Sequence, residues 1–277
     1  MGRRHASPAR IALYLPLAGV LFLYLFPGYW TLASSLKSLT DLMGAPTAFP
    51  LQPVLENYQD VLGGTPFLVF MRNSLIVAGS VSVLTLVLAS TAAYSLSRFR
   101  YPGRAVFSQL ILLVYLFPGI LLIIPVFVMM TRLGLYNSLV AVVITHVLFT
   151  LPFSVWTLKL FFDTIPEDLE AAARIDGASR LSILRVIYLP LSRPGIAAAA
   201  IFSFVVSWNE YLFASVLVAD NELKTLPVGI AGWTSSYAIQ WGQITAASVL
   251  TILPAIVLFA FIGRLFIRGL TAGAMRE

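Results

Sequence analysis

Long apolar runs alternate with polar connections along the chain, and they predict six helices near 11–36, 73–96, 105–130, 138–162, 195–218 and 244–267. Each run reaches the roughly 20 apolar residues that a helix needs to cross a bilayer. The first is much longer than a signal-peptide core of about 7–15 residues, which makes a retained helix the expectation. Pro16 and Pro27 fall inside it, which a membrane helix tolerates, and Pro118 and Pro125 predict kinks in the third run. Between runs one and two lies a polar connection, Lys37 to Arg72, with a short surface helix expected from Leu55 to Leu62. A short link, Arg132 to Asn137, precedes the fourth run. The connection from Asp220 to Gln243 carries Trp233, Tyr237 and Trp241, which suits a membrane interface or a lid.

One polar connection differs from the rest. Asp163 to Pro194 reads DTIPEDLEAAARIDGASRLSILRVIYLPLSRP, charged yet helix-forming. Thr164 and Glu167 have capping-box spacing, with Pro166 allowed in the first turn. Glu167, Asp168 and Glu170 would then lie at the positive end of the helix dipole. Leu169, Ala172, Ala173 and Asp176 share one side at three- and four-residue spacing. Gly177 supplies a left-handed helix end, and Ser179 caps a second helix from Arg180 to about Tyr188, closed by Pro190 and Pro194. The pattern is helix, glycine elbow, helix. An amphipathic loop lying on the bilayer surface is the plain alternative.

Composition fits a membrane protein. Of 277 residues 59% are hydrophobic and only 11% charged, with a mean hydropathy of +0.89, against about a quarter charged in soluble domains. There is no cysteine, so disulfides and thiolate metal sites are excluded. The net charge of +6 could indicate nucleic acid, but the basic residues sit at the ends of apolar runs. Placing the N-terminus inside puts 14 Lys and Arg in the cytoplasm and leaves Lys37, Arg72, Arg132 and Lys224 outside. That asymmetry predicts both termini inside and the Asp163–Pro194 loop in the cytoplasm.

Chemistry at span depth is sparse. There is no phosphate-cradling G-x-x-x-x-G-K-[ST] sequence and no H-E-x-x-H, and the only histidines are His5 and His146. His146, inside the fourth run, reads as a hydrogen-bonded helix-packing residue. Glu210 is the only acidic residue within an expected span, and it is flanked by Trp208, Asn209 and Tyr211. Intramembrane carboxylates are costly and point to a polar cavity, so these four residues are a candidate substrate path. The alternative for Glu210 is the outer end of the span, meeting water or a partner.

Glu170-Ala171-Ala172, Asp176-Gly177-Ala178 and Ile187-Tyr188-Leu189-Pro190 resemble the EAA loop of ABC importer permeases. Asn57-Tyr58, Asn73-Ser74, Arg98-Phe99-Arg100-Tyr101-Pro102-Gly103, Trp208-Asn209 and Gly269-Leu270-Thr271-Ala272-Gly273-Ala274 are similar to the carbohydrate branch, especially the smaller permease of maltose-type importers. The resemblance implies an all-α integral membrane protein of the type I ABC importer permease fold, with six transmembrane helices. Residues 1–69 would form the first helix and an extracytoplasmic connection. Residues 70–264 would form the transmembrane domain, with the coupling loop at 163–194, and 265–277 a cytoplasmic tail. It implies coupling to an ATPase through Glu170, Ala171, Ala172, Asp176, Gly177, Ala178, Leu189 and Pro190. Its implied partners are a second homologous permease, an ATPase dimer holding ATP and Mg, an extracytoplasmic sugar-binding protein and membrane lipid, with no nucleic acid. The cell location implied is a bacterial or archaeal inner membrane. This chain would bind no cofactor or metal itself, and the sugar, a disaccharide or a polyol phosphate, stays open. A secondary transporter would need an internal repeat or several intramembrane charges, and an intramembrane enzyme would need a catalytic constellation at span depth.

Overall fold

The computed structural model describes residues 8–234 and 240–274, and all regular structure among them is helical. Three of the 14 basic residues counted on the cytoplasmic side, Arg3, Arg4 and Arg276, and Tyr237 of the last polar connection lie outside the described residues. Among the described residues four helices are long and apolar enough to cross a membrane: Pro16–Ser35, Phe67–Arg98, Leu139–Asp163 and Trp241–Phe261. A fifth arises if Arg180–Leu191 and Arg193–Trp208, bent by 85° at Ser192, count as one broken span.

Two compact units are formed, Met1–Phe67 with Gly232–Ile252, and Leu68–Ala231 with Leu253–Glu277. In the first, α1 (Pro8–Ser35) is followed by the short α2 (Leu39–Met43) and by α3 (Glu56–Gly64). The surface helix expected near Leu55 is therefore present. Asn57 donates from Nδ2 to the carbonyls of Ser35 and Lys37, both at 2.9 Å, and the hydroxyls of Tyr58 and Ser35 meet at 2.7 Å. These bonds finish the frayed end of α1, whose last carbonyls have no partner within the helix. A Cβ on Gly242 would come within 2.1 Å of Asn57 Oδ1, so glycine keeps that space open. Phe22, Leu23, Tyr24 and Leu25 are exposed along α1, an apolar surface suited to lipid.

The second unit is built on α4 (Phe67–Arg98) and α7 (Leu139–Asp163), which run through its two larger apolar clusters among the described residues. One core gathers Val77, Val81, Met130, Val142, Phe213 and Leu217. The other gathers Ala93, Tyr94, Leu158, Phe162, Leu184 and Tyr188. Between them the Thr85 and Thr150 hydroxyls bond at 2.8 Å. Thr145, Thr150 and Ser154 also return hydroxyls to carbonyls four residues back, which satisfies them without water.

The third expected run is not one helix. It divides into α5 (Arg104–Tyr115), a 3-10 turn at Gly119–Leu122 and α6 (Ile123–Arg132). The break falls at Pro118, one of the two expected kinks, because proline removes a ladder bond and crowds the preceding turn. Pro125 causes no kink; it lies in the first turn of α6, where its missing N–H leaves no bond unmade. The fifth run also ends early, at Trp208 rather than 218, and a separate short helix follows.

Candidate functional site

The loop expected from sequence is two helices around an elbow. Helix α8 spans Glu167–Ile175, and α9 spans Arg180–Leu191. The capping box is not formed. Pro166, extended at φ −58° and ψ 136°, takes the N-cap position, so Glu167 becomes the first helical residue and no longer the third. Thr164 instead turns its hydroxyl back to Phe161 O at 2.7 Å and closes α7. The acidic first turn keeps its favourable place at the positive helix end.

At the other end Gly177 has φ +82°. Its N–H meets Arg174 O at 3.0 Å, and Ala178 N–H meets Ala173 O at 2.9 Å. That bond pair is the Schellman ending, in which a left-handed residue satisfies the last carbonyls. Ser179 then caps α9 by accepting from Ser182 N at 3.3 Å. The helix widens into a π turn at Leu184–Tyr188 and continues through Leu189–Leu191. Pro190 therefore does not close it. The π turn lies just ahead of this ring, which has no N–H and crowds the carbonyl one turn earlier.

Glu170 is only 7% exposed. Its carboxylate accepts from Tyr188 Oη at 2.8 Å, Tyr94 Oη at 3.2 Å and Arg174 Nη2 at 2.6 Å. A buried carboxylate is costly unless paired and hydrogen-bonded, and here three donors meet it. Burial, and then the bond to Glu170, raises the Tyr188 phenol above the ordinary tyrosine range, which keeps it a donor. Glu170 thus fastens α8 to α4 and α9 from within the chain.

Arg98 completes the attachment. Its side chain is 7% exposed and donates to Phe162 O at 2.7 Å and to Ile165 O. It also faces Glu167 at 3.4 Å and lies 5.2 Å above the Tyr188 ring. The outer side of α8 stays free of the core: Ile175 is 86% exposed, Leu169 45%, and Ala171, Ala172 and Asp176 are also exposed. Ala173, expected on that outer side, turns inward with Ala178, Ile187 and Leu189, while Pro190 is exposed. A cleft of about 490 Å³ beside α8 is lined by Arg98, Arg100, Glu167, Asp168, Arg174 and Ile175. Sequence reading passed over Tyr94, Ser97 and Arg98 as partners of the loop. Their spacing of three and four residues, ending a long helix on the same side as the loop, was the available signal.

The four path candidates do not share one surface. Helix α10 (Arg193–Trp208) stops before Glu210, and α11 (Leu212–Leu217) begins after it. Trp208 is 3% exposed and stacks on Phe204 at 5.5 Å. Asn209 and Tyr211 are exposed, and Asn209 donates to Val205 O at 2.8 Å. Glu210 accepts from the backbone N–H groups of Phe213 at 2.8 Å and Ala214 at 3.1 Å, which caps α11. It also meets His146 Nε2 at 2.8 Å, and His146 Nδ1 lies 2.8 Å from Ser207 Oγ. His146 is the hydrogen-bonded packing residue expected, and its partner is the carboxylate singled out beside it.

The paired polar residues near the start of α4 are likewise structural. Asn73 donates to the carbonyls of Glu222 at 2.8 Å and Lys224 at 3.0 Å, and Ser74 accepts from Leu226 N at 2.7 Å.

Residues 85–272 match the family described as the binding-protein-dependent transport system inner membrane component. The chain is 40% identical over 279 residues to the inner membrane ABC transporter permease protein YcjP of Escherichia coli, covering 100% of both chains. It is 38% identical over 253 residues to the sulfoquinovosyl glycerol transport system permease protein SmoH of Agrobacterium fabrum, covering 91% of this chain and 89% of that one. It is 35% identical over 270 residues to the trehalose/maltose transport system permease protein MalG of Thermococcus litoralis, covering 96% and 97%. Among solved structures, a bacterial ABC transporter involved in alginate import matches with a TM-score of 0.80 at 26% identity, over 96% of this chain and 100% of that one. With its apolar helices and full-length relatives, the chain is a multi-pass membrane permease of an ABC importer, not an enzyme, and belongs to the family of binding-protein-dependent transport system inner membrane components.

Proposed function

We propose that this permease imports a sugar or related polyol and couples to an ATPase subunit through helix α8. The observation that carries the coupling is the two-sided character of that helix. Its inner side is fastened by buried Glu170, while Leu169 and Ile175 are left exposed without an apolar cover. An apolar stripe on an otherwise charged surface element fits a protein partner's groove. The carbohydrate cargo is supported by three relatives, whose names specify sulfoquinovosyl glycerol, trehalose/maltose and alginate. The same reading gives the chain a second homologous permease and an extracytoplasmic sugar-binding protein. ATP and Mg lie on the ATPase pair, and this chain binds no cofactor.

The broken stretch from α5 to α6 serves as the third of six crossings, with both termini and α8 in the cytoplasm of a bacterial or archaeal inner membrane. The basic-residue asymmetry supports that orientation. ATP binding favours one arrangement of the path over another and so shifts a two-state equilibrium. The test is mild-detergent purification of the tagged chain from its native membrane, followed by mass spectrometry. Recovery of an ATPase, a second permease and a binding protein is expected. The double variant Leu169→Glu with Ile175→Glu should lose the ATPase and keep the second permease. An ATPase retained at full yield by that variant would overturn the docking surface.

A further inference from the structure

Tyr94, Ser97 and Arg98 share one face of the last turn of α4, and each holds a different part of the loop. Tyr94 reaches Glu170 in α8, and Ser97 donates to Asp163, the last residue of α7, at 2.6 Å. Arg98 gathers the carbonyls of Phe162 and Ile165 and the carboxylate of Glu167. The three residues between α7 and α8, 164–166, would otherwise be a hinge, since α8 starts at Glu167 behind an N-cap proline that offers no side-chain cap. The Arg98 guanidinium spans that hinge from both sides.

At the far end of α4, Asn73 and Ser74 hold the backbone at Glu222, Lys224 and Leu226. The whole of α4 is 32 residues long with no proline, and its stretch from Asn73 to Arg98 spans about 38 Å at 1.5 Å per residue. Among the other described elements of this unit, α7 is continuous but carries Pro152, α10 begins at an 85° bend, and the 104–132 stretch is divided at Pro118.

We infer that α4 is the rod that carries a displacement of α8 to the 220–226 connector, with Arg98 and Asn73 as positioning residues at its two ends. This rests on the proposed docking of an ATPase on α8. Contacts that cross the hinge make α8 and α4 move together, whereas an open hinge would let α8 swing alone.

The chain has no cysteine, so single reporters can be introduced without background from this chain and read on its own band. In the complete purified complex, Asp168→Cys reports on α8 and Glu222→Cys on the connector, each read by maleimide labelling with and without Mg-ATP plus vanadate. Both positions are exposed. In the otherwise unsubstituted chain nucleotide should change both labelling rates by about fivefold or more. Adding Arg98→Gln should leave the response at 168 and abolish it at 222, with Arg98→Lys restoring part of it. Asn73→Ala should give the same separation from the other end, and it decides the matter if Arg98→Gln does not assemble. A full response at 222 in both variants overturns the rod. Joint loss of both responses, with the ATPase gone from the complex, overturns it in favour of a docking prop. If neither reporter responds in the unsubstituted background, the ATPase-coupling reading itself fails.

Discussion

Glu170 and Glu210 are both largely buried carboxylates in an apolar chain, and their partners separate their work. Glu170 is met by three side chains drawn from α4, α9 and its own helix. Glu210 is met by two backbone N–H groups of the helix it precedes and by one imidazole. The first carboxylate joins elements that could otherwise separate, and it leaves an outer helix face free. The second finishes a break within one stretch of chain and leaves Asn209 and Tyr211 exposed beside it. A buried acid is therefore read from its donors: side chains from several helices mark a fastening, consecutive backbone N–H groups mark a cap.

That contrast can be tested from the strongest effect down. Glu170→Ala leaves two tyrosine hydroxyls and Arg174 without their acceptor, a loss of about 2–3 kcal/mol at the loop. The expected outcome is a permease that stays in the membrane but purifies with less than about a tenth of the ATPase. Undiminished ATPase recovery would show that the fastening is dispensable. Glu210→Ala removes a helix cap worth about 1 kcal/mol and leaves His146 Nε2 without its partner, with Nδ1 still held by Ser207. Here the complex should assemble fully while uptake falls by roughly tenfold, equivalent to about 1.4 kcal/mol. Loss of assembly alongside uptake would erase the distinction between the two acids.

The smallest effects belong to the loop's hydroxyls. Ser179→Ala should cost about 1 kcal/mol, seen as a lower thermal midpoint of the purified complex. Thr164→Ala, which removes no cap from α8, should stay within about 0.5 kcal/mol. A larger loss at Thr164 than at Ser179 would restore the capping box that the structure lacks.

What the sequence made legible follows from how far each interaction reaches. The glycine elbow and the Ser179 cap depend on neighbours within a turn, and both stand as read. The Thr164–Glu167 pair is equally local, yet a single extended proline displaced the helix start and dissolved it. Glu170 could be singled out, but Tyr94 lies 76 residues away, and no periodicity links the two. His146 and Glu210 were each noticed alone, and their 64-residue separation hid the bond between them. The fifth run was drawn too long because its apolar pattern continues across the break at Asn209–Tyr211, where only backbone bonding tells helix from turn.

The nine-residue helix α8 answers to two independent demands. Its inward carboxylate is satisfied within the chain, so the fold asks nothing further of Leu169, Ala172 and Ile175. On the proposed docking of an ATPase at α8, those outward positions act as an address, and replacing them would redirect the permease to a different motor without rebuilding the body that carries it. Cargo and engine would then change separately, each by substitutions the other does not feel.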